Sequence, residues 1–499
     1  MKKNVMRLLS VLLVVLMTLP LVIACKDTSN EGNNGENSGP AQTDDKHRDD
    51  LPEDMDFGGE DINFLSRSFD WYVNELTVES GDTSDIVDAA VWRRQMNVEQ
   101  RIGINMVNTM LDGDGTDGYA LVTNAIREEI LAGTNDYDIG VNNLSRVFET
   151  VTEGLFWNMN KVPNVDLSKS YYSQNFNYTS TIEGKQFAVT GDAALTFIKF
   201  AFATFFNRNM AENQKIPDLY QTVLNGDWTF EYQGTLVKDL YTDGNTNSKK
   251  DESDTFGLLT NSVLGVDPYW SAFDLPLITK NAAGKAEVTV NVDKMTNSLK
   301  MINQLFWQSR GVYVAPHVSN DGELETAAQM FAADQGLFMT NRLYACETEA
   351  LRNMESLYGI IPMPKFEKAQ EQYYSYCHDL MSVYVISAAV PEARLAMVGA
   401  ALECLFSESL ECRTKLFEEA LKVKYQSTEK TGQMLDIIID HMKLDTGIIY
   451  SRCLGRTIVM LRDMVQKRSS SWAGFWKMNV GAVTKQLGDI EESFKKIKT

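Results

Sequence analysis

Between Asp61 and Asn143 the chain alternates two hydrophobic periods, and that alternation limits what it can fold into more than any other feature. Asp61-Ile62-Asn63-Phe64-Leu65 reads as a strand that runs into a polar, aromatic loop, Ser66-Arg67-Ser68-Phe69-Asp70-Trp71-Tyr72. Ser84 reads as a helix cap with Asp85 in the first turn. Ile86, Ala90, Val91, Val98 and Ile102 then fall at helical spacing up to a stop at Gly103. Ile104 to Val107 reads as a second strand. Tyr119, Val122, Ile126 and Ile130 mark a second helix ending near Gly133, and Tyr137-Asp138-Ile139-Gly140-Val141 is a third strand followed by Asn142-Asn143. Strand, helix, strand, helix, strand predicts an α/β domain built on a doubly wound, mainly parallel sheet, in which ligands sit off the carboxyl ends of the strands. Those ends are residues 66–72 and Asn142-Asn143.

Several function classes are disfavoured by charge and residue usage. The net charge is −21 with 47 basic and 68 acidic residues, the opposite of what a polyphosphate partner needs; nucleic acid is not expected. Gly113-Asp114-Gly115-Thr116-Asp117-Gly118 spells G-x-G-x-x-G. Its aspartates put negative charge where a pyrophosphate needs positive potential, so it reads as an exposed acidic turn. Besides Cys25 there are five scattered cysteines and no C-x-x-C pair, which predicts buried thiols instead of a disulfide framework. No G-x-S-x-G, H-E-x-x-H or P-loop is present, so the chain does not read as an enzyme.

The amino terminus says where the chain works. Lys2, Lys3 and Arg7 precede an apolar run over residues 8–19, the pattern of an export signal. Leu21-Val22-Ile23-Ala24-Cys25 resembles the lipobox of bacterial lipoproteins, which implies cleavage after residue 24 and lipidation (a palmitate-type acyl anchor) of Cys25. Residues 26–50 are rich in Asn, Gly, Ser, Glu and Asp and cannot bury enough apolar surface to fold. The expected layout is a signal peptide over 1–24, a lipidated Cys25 with a disordered tether over 25–55, and a body held at the outer face of the cytoplasmic membrane.

The remaining chain carries a characteristic order of segments. They include Leu155-Phe156-Trp157-Asn158-Met159-Asn160, Asp166-Leu167-Ser168-Lys169-Ser170-Tyr171-Tyr172, Phe205-Phe206-Asn207-Arg208-Asn209-Met210, Asn225-Gly226-Asp227-Trp228-Thr229, Gly336-Leu337-Phe338-Met339 and Tyr358-Gly359-Ile360-Ile361-Pro362-Met363-Pro364-Lys365. In order and spacing these resemble the extracellular solute-binding proteins of ABC importers, in particular the carbohydrate-binding group; Tyr171-Tyr172 stands where relatives often carry paired tryptophans. The resemblance implies a two-lobed, periplasmic-binding-protein-like (type II) α/β fold. Lobe one would be 56–178 plus 381–424 and lobe two 179–376 plus 425–499, with hinges near 178–180 and 376–380. It implies a monomeric binding protein, without a required cofactor, that captures a sugar or oligosaccharide by closing its lobes and delivers it to an ABC permease. A glycan-capture or sensory lipoprotein without its own permease is the alternative, and a surface glycosidase a more distant one.

A pyranose presents an apolar face that aromatic rings cover and hydroxyls that Asp, Asn and Arg pair with. Trp71, Asn142 and Asn143 lie at strand ends of lobe one, and Asp192 follows a predicted strand. In lobe two, Trp270, Arg342 and Tyr344 match in position the cleft-lining segments of sugar-binding relatives. Trp157, Trp228 and Trp307 read as packing residues. Asp243, Asn245, Asn247, Asp251 and Asp254 fall at positions 1, 3, 5, 9 and 12 of a loop, a spacing that wraps calcium. Ser248 replaces the usual glycine and Asp254 the longer glutamate, so the loop reads either as a structural calcium site or as a solvated turn.

Overall fold

The structure, a computed structural model, describes residues 48–68, 75–113, 118–316, 322–422 and 429–499. The signal, Cys25, Trp71 and residues 114–117 of the acidic turn lie outside the described residues.

The predicted alternation is present from its first element. Strand β1 (Glu60–Ser68) leads to helix α1 (Ile86–Ile102), strand β2 (Ile104–Asp112), helix α2 (Leu121–Ala132), strand β3 (Ile139–Asn143) and helix α3 (Leu144–Thr150). The cap of α1 is Asp85, one residue later than expected: its carboxylate accepts from the N–H groups of Val87 and Asp88. Gly103 ends α1 in the left-handed region at φ 63°. β2 is longer than its apolar start suggested, because it pairs in parallel along all of β1, from Glu60 opposite Ile104 to Ser68 opposite Asp112. β3 pairs in parallel on the other side of β1, Phe64 opposite Ile139. α2 presses onto β3 so closely that a Cβ at Gly140 would meet the Ile126 side chain at 2.7 Å.

The segment after α3 stays with this sheet longer than expected. Val189 bridges to Tyr384 and Tyr172 to Gly191. The first passage to the second sheet therefore runs through helix α4 (Leu195–Lys199), not through residues 178–180. A backbone ladder decides this point, and side-chain patterning does not display it.

The second sheet holds β4 (Phe202–Asn207), β5 (Tyr241–Thr242), β6 (Thr255–Asn261), β7 (Val312–Ala315), β8 (Gly336–Arg342) and β9 (Tyr358–Ile361). Their order is β9-β4-β8-β6-β5, with β7 also on β6. β6, β7 and β8 run parallel, and β4 runs antiparallel to β8 and β9. Trp228 is fully buried beneath this sheet and gives its indole N–H to Pro362 O at 2.9 Å. Trp157 and Trp307 are half-buried and likewise donate to backbone carbonyls, of Val390 and Val465.

The chain then returns. Ala201 bridges to Cys377 in the two crossing segments, and strand β10 (Ser382–Ile386) joins the first sheet antiparallel to β3. Helices α5 (Glu392–Ser407) and α6 (Leu410–Lys422) pack on α1, where Arg93 holds Glu411. The tail supplies α7 (Thr446–Ile449), α8 (Val459–Gln466) and α9 (Trp472–Lys496). α9 does not stay with one lobe. Trp472 meets Trp270 of the second lobe at 6.4 Å between ring centroids, and Phe494 meets Phe187 of the first at 4.9 Å. At about 1.5 Å per residue, its 25 residues are long enough to strap the two.

Residues 48–52, expected as the end of a tether, are also docked. Leu51 is buried, Arg101 donates to the carbonyls of Leu51 and Pro52, and Asp49 accepts from Ser407. The apolar Leu51 and the charge of Asp49 find partners on lobe one that the composition of the segment does not reveal. The cysteines Cys346, Cys377, Cys404 and Cys412 are free and buried, and Cys453 is free and half-buried.

The Tyr171 and Tyr172 rings are both buried, and both hydroxyls donate to Glu403 of α5. Burial pushes the Glu403 carboxyl up to about 7 from 4.5, against the two tyrosine hydrogen bonds. An acid whose folded pKa is raised stabilises the fold fully below its unfolded pKa and loses that contribution as pH rises through the folded value. Between 4.5 and about 7 the loss is on the order of 3 kcal/mol at 1.36 kcal/mol per unit. The urea midpoint should fall from pH 5 to pH 8, and Glu403→Gln should flatten that slope; an unchanged slope in the variant excludes Glu403 as its source.

Candidate functional site

The carboxyl ends of the two sheets approach each other where the crossing segments pair. On the first sheet these ends carry Arg67, Asn143 and the start of α3; on the second they carry Asn261 and Arg342. Phe202 N donates to Tyr376 O at 2.9 Å and His378 N to Phe200 O at 3.1 Å. The return segment also ties into lobe one: Ser145 N donates to Asp379 O, Leu144 N to Met381 O, and the Arg67 guanidinium to Leu380 O.

Beside this joint lies a cleft lined from lobe one by Tyr119, Leu144 and Ser145, from lobe two by Leu264, and from the crossing by His378, Asp379 and Leu380. The tail closes it with residues of the α7–α8 region, among them Ser451, Arg452, Arg456 and Arg462. The enclosed space is about 120 Å³, less than the roughly 300 Å³ at the small end of ligand pockets. Admission of a ligand of ordinary size therefore requires the walls to separate.

The cleft is polar and its charges are arranged. Arg462 grips the fully buried carboxylate of Asp267 with two nitrogens. Burial raises the Asp267 carboxyl above its ordinary value, and the Arg462 guanidinium opposes that shift. His378 is buried, with Nε2 3.5 Å from Asp379 and Nδ1 lacking a hydrogen-bond partner. Burial, and after it Arg342, Arg462 and Arg67, hold its imidazole well below 6.5, so the ring is neutral.

The residues expected to bind ligand are distributed unevenly. Asn142 and Asn143 stand at the cleft end of β3, but both are engaged. Asn142 accepts from Asn143 N, and Asn143 caps α3 by accepting from Arg146 N. Arg342 lies at the crossing with its guanidinium over the Phe200 ring, and Tyr344 meets the same ring edge-on. Asp192 is buried away from the cleft against Arg413 of α6 at 3.2 Å. Trp270 is 3% exposed, donates to Ile458 O and faces a neighbouring cavity of about 390 Å³ between Tyr178 and Lys280. Trp71 lies outside the described residues.

In the loop from Asp243 to Asp254, Asn245 and Asn247 turn their amide nitrogens toward Asp251, at 3.0 and 2.6 Å. Asp243 accepts from the backbone of Asn247 and Ser248, and Asp254 from Gly244 N and the Tyr241 hydroxyl. The loop oxygens are thus spent on closing the turn. Among the described residues no group of three or more His, Cys, Asp or Glu is arranged to hold a metal ion.

Sequence reasoning passed over Ser145, His378, Asp379, Arg452, Arg456 and Arg462. Three arginines within eleven residues of an otherwise acidic chain were the available signal.

No protein-family model matches the chain, and no curated protein matches it by sequence. Solved structures do match. An ABC substrate-binding protein from Listeria monocytogenes in complex with cycloalternan aligns over 88% of this chain and 99% of its own, with TM-score 0.50 and 11% identity. An ABC transporter solute-binding protein from Thermotoga lettingae bound with α-D-tagatose aligns over 86% of this chain and 100% of its own, with TM-score 0.51 and 13% identity. What is shared at these identities is the fold, which is that of the two-lobed solute-binding proteins.

Because Trp270 is packed on Trp472 and hydrogen-bonded through its indole, its removal acts on stability. Trp270→Ala should cost about 3–5 kcal/mol in chemical unfolding of the empty protein. A variant as stable as the parent would mean that the ring is not part of the packing between α9 and lobe two.

Proposed function

We propose that this chain is an extracytoplasmic solute-binding lipoprotein that captures a sugar or oligosaccharide between its lobes and passes it to an ABC permease. The observation that carries the reading is the joint itself. Two sheets direct their carboxyl ends at one polar cleft and are linked by paired crossing segments, so a ligand held by both walls favours the closed arrangement through contacts an open one lacks. The two similar structures, bound to cycloalternan and to α-D-tagatose, support the choice of ligand class. The amino-terminal signal and Cys25 support placement at the outer face of the membrane. The chain acts as a monomer, and catalysis has no part in the reading. Among the described residues no helix is long and apolar enough to cross a membrane.

A glycan panel followed by thermal shift tests the capture. Ligand at about 100 times its Kd should stabilise the protein by roughly 2.7 kcal/mol and raise the unfolding midpoint. X-ray scattering should show a change in radius of gyration with the same glycan. If no saccharide moves the midpoint, the ligand class is wrong.

Attachment is tested separately. Cys25→Ser should release the protein from the membrane fraction into the medium or leave an uncleaved precursor. Unaltered processing and retention would exclude Cys25 as the anchor.

A further inference from the structure

The cleft wall supplied by the tail carries more positive charge than its neighbours neutralise, in a chain whose net charge is −21. Arg452, Arg456 and Arg462 line it, against the single carboxylate of Asp379. Arg462 is matched by Asp267. Arg452 is not matched in the same way. Its nearest acid, Glu149, stands 3.7 Å away and is already held at 2.6 Å by Arg146. Arg456 is exposed and makes no ion pair among the described residues. Its backbone sits in the left-handed region at φ 62°, a conformation costly for a side-chain-bearing residue and held by its surroundings; its N–H closes a turn on Ser451 O at 2.6 Å.

A second observation points the same way from the cleft floor. The unpartnered Nδ1 of buried His378 lies within the fields of Arg342, Arg462 and Arg67, and its ring is held neutral. Guanidinium groups thus converge on the site from both sheets and from the tail. Two forked guanidiniums four residues apart, one unpaired and one sharing its acid, match a carboxylate better than a hydroxyl, because each can bind its two oxygens side by side.

Resting on the saccharide-binding reading above, we propose that the cleft is built for an acidic saccharide, a glycan bearing a uronate carboxylate, and that Arg456 and Arg452 receive that carboxylate.

The test uses the full chain in detergent and isothermal titration with three matched sets: oligouronates (galacturonate, glucuronate and mannuronate), their methyl esters, and the corresponding neutral oligosaccharides. The expected result is binding within the oligouronate set. The affinity should fall with added salt and drop by roughly tenfold or more on methyl esterification or in Arg456→Gln. The thermal midpoint of the empty Arg456→Gln protein should stay unchanged, since the side chain makes no ion pair among the described residues. Arg452→Gln should show a smaller loss, because Glu149 already claims part of its charge. Neutral oligosaccharides or methyl esters binding as tightly as the acids, or Arg456→Gln binding an oligouronate as the parent does, would overturn the inference and leave the saccharide reading standing. Silence from all three sets would overturn both.

Discussion

Two short antiparallel segments, residues 200–202 and 376–378, hydrogen-bond to one another, and the arrangement of the lobes follows from that pairing. A chain that passes between two sheets at one point is free to swivel. A chain that passes twice, with the passages laddered through Phe202 N to Tyr376 O and His378 N to Phe200 O, bends about a narrow axis. The same ladder sets the register of everything beside it. It places His378 and Asp379 on the cleft floor and presents the Asp379 carbonyl to Ser145 at the start of α3. The crossing and the cleft floor are therefore one structure, so under the proposed function a ligand touching the floor would also touch the crossing.

The tail adds a constraint to this joint. α9 packs on Trp270 at one end and on Phe187 at the other, and the α7–α8 region before it forms a wall of the cleft. Opening the cleft thus requires motion of a segment already fastened to both lobes. The buried Asp267–Arg462 pair fits that demand: an ion pair out of water is weak support for stability but loses much if one partner is removed.

Much of the architecture is written in hydrophobic period. The strands and helices from β1 to β3, and β10 followed by a helix just past Pro391, are read from residues near in sequence, because which face of an element is buried repeats every two or every 3.6 residues. The partition of the tryptophans was legible in part. Trp228 is core as its surroundings suggested, whereas Trp270 reads as a clamp by position and is packed in the structure. Asn143 sits where the pattern put it, yet its side chain caps α3. Asp192 was expected after a strand, yet it lies in a turn and faces Arg413.

The sequence by itself determined the alternating α/β character and the surplus of negative charge, since each is a property of local composition or period. Tertiary structure alone decided where the chain changes sheets, that residues 48–52 dock, and that Arg452, Arg456 and Arg462 from the tail meet His378 and Asp379 from the crossing. Those facts depend on backbone ladders and on contacts between residues far apart in the chain. A side chain's identity records that it is charged, but not which distant group the fold will bring within its field.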